Sequence, residues 1–165
     1  MVEPYFLYRD GLIREEVLMY DQYYCKPEIA KELIAVLDMS QYDHIIEPCA
    51  GNGSFSLQIP NCEAYDIDPQ HPSIKQANFF DLSFDYDPEK TLIIGGPPFG
   101  KDAEYATLFV ARAMRFANTI AFILPIDFTF DLHLIHEEEM DPNSFTAGGY
   151  NFSYPCSFQI FKTKV

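Results

Sequence analysis

Apolar residues recur along this chain in two rhythms. In "KPEIAKELIAVLDM", residues 26–39, Ile29, Leu33, Val36 and Leu37 fall at helical spacing, which predicts an amphipathic helix with one buried stripe. Pro27 suits a first turn, and Glu28 complements the positive end of the helix dipole. A second helix is predicted over "DAEYATLFVARAMRFA", residues 102–117, with Tyr105, Leu108, Phe109 and Met114 turned to the core. The remaining apolar runs are short and bounded by turn residues, the mark of strands. "HIIEPCAGNGSF" reads as a buried strand breaking into a glycine loop, with Ser54 placed to cap a brief helix before Pro60. "CEAYDIDP", the weaker "IKQANFF", "TLIIGG" and "TIAFILP" give four more. Strands that alternate with helices imply a parallel sheet covered on both faces. "DLHLIHEEE" and "YPCSFQIFKTK" follow with no helix between them, only the loop "MDPNSFTAGGYNFS", so they are expected to close the sheet as an antiparallel edge.

With 48% hydrophobic and 16% aromatic residues, 165 residues suffice for one core, so residues 1–165 are expected to form a single domain. Residues 1–24, rich in tyrosine, read as an arm with a helical turn at "REEVLMY". No apolar run reaches the roughly 20 residues of a membrane helix, and the start lacks a signal core. A cytoplasmic or otherwise intracellular protein without a membrane partner is therefore expected. Cys25, Cys49, Cys62 and Cys156 form no CxxC pair, which favours reduced, partly buried thiols over zinc or disulfides. The 25 acidic and 11 basic residues leave a net charge of −14, which repels a polyanion. Nucleic acid as a partner then calls for Lys26, Lys31, Lys75, Lys101, Arg112 and Arg115 to gather on one face, or for a second, basic subunit.

Each unusual loop follows a strand, where ligands of doubly wound sheets lie. "EPCAGNGSF" carries Gly51 and Gly53, which permit close backbone approach, with Glu47 just before them to meet a cationic group. Asp66 ends the next strand, where a carboxylate can accept both hydroxyls of a ribose. "GGPPFG" ends another, and its Pro97 and Pro98 carry no N–H and present fixed carbonyl acceptors. His133, His136 and Glu137 to Glu139 specify no third metal ligand, because a strand turns the two histidines to opposite sides. They read as a solvated acidic edge, and no metal is expected. Arg112 and Arg115 in "ARAMRF" read as a solvated helix face. No Ser-His-Asp constellation stands out.

Taken together, the glycine loop, the acid after the second strand and the Pro-Pro-Phe loop resemble the class I S-adenosylmethionine-dependent methyltransferases. Within them the chain is most similar to the amino-methyltransferases with an Asn/Asp-Pro-Pro-Tyr/Phe loop, chiefly the adenine-modifying branch. "GPPFGK", "AFILP" and "HEEEMDPNSF" look closest to its small viral, phage and bacterial members. The resemblance implies a Rossmann-like α/β sheet, mostly parallel with an antiparallel C-terminal edge and helices on both faces, and S-adenosyl-L-methionine as cofactor. It places Glu47, Cys49 and the Gly51 to Phe55 turn around the methionine part, Asp66 on the ribose, and Ile67 beside the adenine. Asn78 stands where the family has an Asp that bonds the adenine amino group, an amide carbonyl being able to accept in its place. Phe79 would pack on that ring. Cys25, in "YYCKP", replaces a threonine that binds the cofactor carboxylate. Tyr23 and Tyr24 read equally as a cover over the cofactor and as an arm-to-core contact.

In that family the side chain before the prolines and the first proline's carbonyl accept the two hydrogens of the target amine, while the aromatic stacks on the base. Pro97 and Phe99 keep their parts. Position 96, however, is glycine, and losing one preorganised hydrogen-bonding group costs roughly 3 to 4 kcal/mol, a hundred- to thousand-fold in rate. Asp102 or Asp127 is the substitute acceptor that the sequence offers. The readings open at this stage are adenine methylation in DNA or RNA, methylation of a protein glutamine, and a noncatalytic cofactor-binding or scaffold subunit.

Overall fold

The computed structural model describes residues 23–147 and 155–163; residues 1–22 of the arm, with its turn at residues 14–20, lie outside them. At the centre is a seven-stranded sheet. Its strands are β2 (His44–Glu47), β3 (Glu63–Asp66), β4 (Lys75–Gln76), β5 (Thr91–Gly95), β6 (Thr119–Pro125), β7 (His133–Met140) and β9 (Cys156–Lys162), in the spatial order β4-β3-β2-β5-β6-β9-β7. The first five in spatial order run parallel. β9 is antiparallel to both β6 and β7, so the expected antiparallel edge is present. Separate from this sheet, β1 (Tyr23–Cys25) pairs with β8 (Phe145–Ala147) as a two-stranded ribbon.

The centre is dry because β5 and β6 are buried along their whole length. Their side chains alternate between two faces, as the two-residue period of a strand requires. Ile93, Ile120, Phe122 and Leu124 meet helix α2 (Glu104–Ala113) through Phe109 and Val110. Leu92, Ile94, Ala121 and Ile123 meet helix α1 (Pro27–Ile34) through Ala30 and Leu33. One helix thus covers each face.

Several elements stop short of their sequence patterns, each for a local reason. α1 ends at Ile34 because the next turn tightens into bonds from Val36 N to Leu33 O and Leu37 N to Ile34 O, and Asp38 then starts a 3-10 turn by accepting from Ser40 N at 3.1 Å. Val36, expected in the buried stripe, is 42% exposed as a result. α2 begins after two residues in the left-handed region, Asp102 (φ 54°) and Ala103 (φ 58°), and its expected core residue Met114 lies beyond its end, exposed. "IKQANFF" yields only the two-residue β4, since the Asn78 side chain takes the Phe80 N–H at 2.9 Å and turns the chain. Ser54 caps no helix: a 3-10 turn starts at Ser56, and the Ser54 hydroxyl donates to Asn52 Oδ1 at 2.7 Å.

Strand order reverses between β2 and β5. The chain leaves β2 outward through β3 and β4, then returns beside β2 and continues the other way. Loops after β2 and β5 diverge there and leave a crevice. Among the described residues no helix is long and apolar enough to cross a membrane.

Candidate active site

β2 delivers Glu47 to this crevice. The side chain is buried, its Oε1 accepts from Ser56 N at 3.1 Å, and among the described residues it forms no ion pair. Burial pushes its carboxyl well above the usual range, opposed by the Ser56 hydrogen bond and reinforced by Asp66. Gly95 makes room for it. A Cβ there would lie 3.0 Å from Glu47 Cγ and 3.1 Å from Oε2, and the backbone already holds φ +141°.

After Glu47 the chain turns tightly, with Gly53 N bonding Ala50 O at 2.8 Å. Gly51 adopts φ +57°, and the Tyr24 ring lies so close that a Cβ would meet it at 2.6 Å. The Gly51 N–H donates to Asp66 Oδ2 at 2.8 Å, and Asp68 N donates to Oδ1, also at 2.8 Å. Asp66 therefore couples the glycine turn to the end of β3. Its carboxyl is shifted upward by burial, with these backbone bonds opposing.

Across the crevice, Gly96, Pro97, Pro98 and Phe99 follow β5. Pro97 is buried and Gly96 exposed. Among the described residues no hydrogen bond uses the Pro97 carbonyl, whereas the Phe99 carbonyl accepts from Tyr105 N (3.0 Å) and Ala106 N (3.2 Å) and so anchors the loop to α2. The Phe99 side chain packs against both core clusters.

These parts line a cleft that opens to solvent. Of the residues singled out in the sequence, Tyr24, Cys25, Glu47, Cys49, Phe55, Gly96, Pro97, Pro98 and Phe99 line it. Gly51 and Gly53 shape its turn without lining it. Asp66, Ile67, Asn78 and Phe79 lie outside the lining. Phe79 is buried and stacks on Phe109, with centroids 5.7 Å apart. The Asn78 carbonyl oxygen, expected to accept from an adenine, accepts from Phe80 N, and its Nδ2 is buried and, among the described residues, without a hydrogen-bond partner. Neither Asp102 nor Asp127 reaches the cleft wall. Cys25 donates its S–H to the Lys26 carbonyl at 3.6 Å, and burial pushes its thiol to about 12. Arg112 is similarly occupied: it donates to the Leu82 carbonyl at 2.7 Å and sits 5.1 Å from the Phe116 ring centroid.

The sequence did not point to Ala50, Ile123 or Phe145, which also line the cleft, whereas Asn52 and Ser54 belong to the Gly51 to Phe55 turn that it placed there. Phe145 carried no signal, because it arrives only through the pairing of Cys25 with Phe145 in the β1–β8 ribbon.

Solved structures share this architecture. A Pyrococcus horikoshii protein described as an RNA methyltransferase aligns over 93% of this chain and 92% of its own, with a TM-score of 0.64 and 13% identity. The 23S rRNA methyltransferase ErmE aligns over 84% of this chain and 68% of its own, with a TM-score of 0.60 and 12% identity. The fold is the Rossmann-like methyltransferase fold. A modification subunit of a type I restriction enzyme from Vibrio vulnificus YJ016 covers 96% of this chain, which spans 46% of that one, with a TM-score of 0.60 and 14% identity. No protein-family model matches the chain, and no curated protein matches it in sequence. At these identities the likeness is one of fold.

Proposed function

We propose that this protein is an S-adenosylmethionine-dependent amino-methyltransferase whose acceptor is an adenine in DNA or RNA. The observation that carries this reading is the convergence of Glu47 and Pro97 on one cleft at the switch point of a methyltransferase-type sheet. The cofactor fits the residues present: a buried carboxyl with no ion pair among the described residues is a partner for the cationic amino-acid end of the molecule. When bound, S-adenosylmethionine supplies a methyl group activated by its sulfonium. Glu47, Cys49 and the turn through Phe55 would surround its methionine part, and the outer lone pairs of Asp66 would face its ribose. On the acceptor side, the Pro97 carbonyl accepts one hydrogen of the amine and Phe99 supports the base. Held between the two loops, the reactants would be aligned and shielded from water, which is most of what such a transfer asks of a protein.

Gly96 favours a second reading. It presents no side-chain acceptor, and neither Asp102 nor Asp127 lines the cleft, which suits a noncatalytic cofactor-binding subunit. The net charge of −14 makes a peptide glutamine the third acceptor to assay. Calorimetric titration with S-adenosylmethionine, followed by labelled-methyl transfer to RNA, DNA and protein pools, separates the readings. Saturable binding with slow labelling of adenine, accelerated roughly a hundred- to thousand-fold by Gly96→Asn, is the expected result. Binding without transfer in the parent chain establishes the subunit reading, labelling of protein alone moves the acceptor, and absence of binding refutes the assignment.

A further inference from the structure

The seven-stranded sheet ends at β7, eight residues long, which among the described residues pairs on one side only, with β9. Along its other side lie backbone donors and acceptors at strand spacing, the arrangement to which an extended peptide adds as a further strand. Most of the strand is exposed, and Leu134 and Ile135 stand 43% and 46% exposed at its start. The pairing register with β9 shifts between Leu134 and His136, at Ile135, and the charged half of the strand follows. That half is the run Glu137, Glu138 and Glu139, and no lysine or arginine occurs from Asp131 to Asp141. Glu137, itself exposed, accepts from Ser157 Oγ of β9 at 3.0 Å, while Glu138 lies 3.6 Å from His136 Nε2.

We propose that this edge docks an extended lysine- or arginine-rich segment of a partner polypeptide, which pairs with β7 as an eighth strand and rests apolar side chains on Leu134 and Ile135. Charge selects the occupant. A second copy pairing antiparallel about Glu138 would set three glutamates against three glutamates, and like charges directly opposite destabilise a ladder. A basic strand meets the same positions with opposite sign. The proposal draws on the methyltransferase reading in one respect: a basic subunit on this edge would carry the positive surface that a chain of net charge −14 lacks for a polyanionic substrate.

The test uses a fluorescent twelve-residue peptide that alternates lysine with valine, titrated into the full chain by anisotropy at low and high salt. Saturable one-to-one binding is expected, weakened by salt and accompanied by slowed hydrogen exchange at the β7 amides that point away from β9. Glu138→Lys combined with Glu139→Lys should weaken it at least about tenfold, as should two central prolines in the peptide, which cannot donate to a ladder. Failure of the parent to bind, equal binding of the proline peptide, or self-association of the chain through β7 would overturn the proposal. S-adenosylmethionine titrated into the same charge-reversed variant keeps the two readings apart. Unchanged cofactor binding there confines the loss to β7, while failure of the parent to bind cofactor removes the methyltransferase reading and leaves the docking result standing.

Discussion

Glu47 is a carboxyl held out of water beside a cleft, and its protonation governs two measurable quantities. Desolvation dominates its upward shift, so the folded protein prefers the protonated form. A raised folded value means that the stability this group contributes is present at low pH and is lost as pH rises through the elevated value. Glu47→Gln removes the ionisation. Urea unfolding should show the variant gaining on the parent as pH climbs above the ordinary carboxylate range, and a constant gap between the two would contradict the burial argument. Cationic ligands respond in the opposite sense: S-adenosylmethionine affinity should rise with pH over that window in the parent and stay flat in Glu47→Gln. The variant's affinity should be about ten- to a hundred-fold weaker, the worth of a hydrogen bond to a charged group. Position 96 behaves differently from its neighbour. A Cβ at Gly96 meets only Ile123, at 3.8 and 3.9 Å, so Gly96→Asn should unfold within about 0.5 kcal/mol of the parent. Gly95→Ala, strained at φ +141° and pressed on Glu47, should cost about 1 to 3 kcal/mol.

At the scale of elements, the Pro-Pro loop is held by the helix that follows it. Phe99 offers its carbonyl to the first amides of α2, and the chain reaches them through Gly100, Asp102 and Ala103, all at positive φ. A Cβ at Gly100 would collide with the Tyr105 ring. Gly100→Ala is therefore expected to lose about 2 kcal/mol or more and to speed hydrogen exchange across residues 104–113. Unchanged exchange there would separate the loop from the helix. The apolar period foresaw α2 but set its start at residue 102, because left-handed backbone at a non-glycine residue leaves little mark in sequence. The ribbon of β1 and β8 went unread for another reason. Three residues on each strand give too little pattern to reveal a pairing across more than a hundred positions.

Over the whole molecule, charge sets the terms of any encounter with nucleic acid. Without counterion release to drive it, association of this chain alone with an adenine-containing oligonucleotide at physiological salt should be weaker than a Kd of about 10⁻⁴ M, the weak end of ordinary non-specific binding. Anisotropy measures it, and an affinity ten times tighter would reveal a basic surface that the sequence-wide balance conceals. A basic segment seated on β7 should reverse the outcome.

The order of strands and helices, the antiparallel close and the loops that face the crevice were all legible in the chain, because burial imposes periods of two and 3.6 residues and tight turns demand glycine and proline. So was the absence of a side chain at position 96. What tertiary structure alone decided is which of those residues share a wall: Glu47 and Pro97 meet across the switch point, Phe145 joins them, Phe79 packs on Phe109, and the Asn78 carbonyl oxygen holds a turn. Such assignments depend on contacts between distant segments, and on backbone groups competing for the same side chain, neither of which a local pattern of apolar and polar residues encodes.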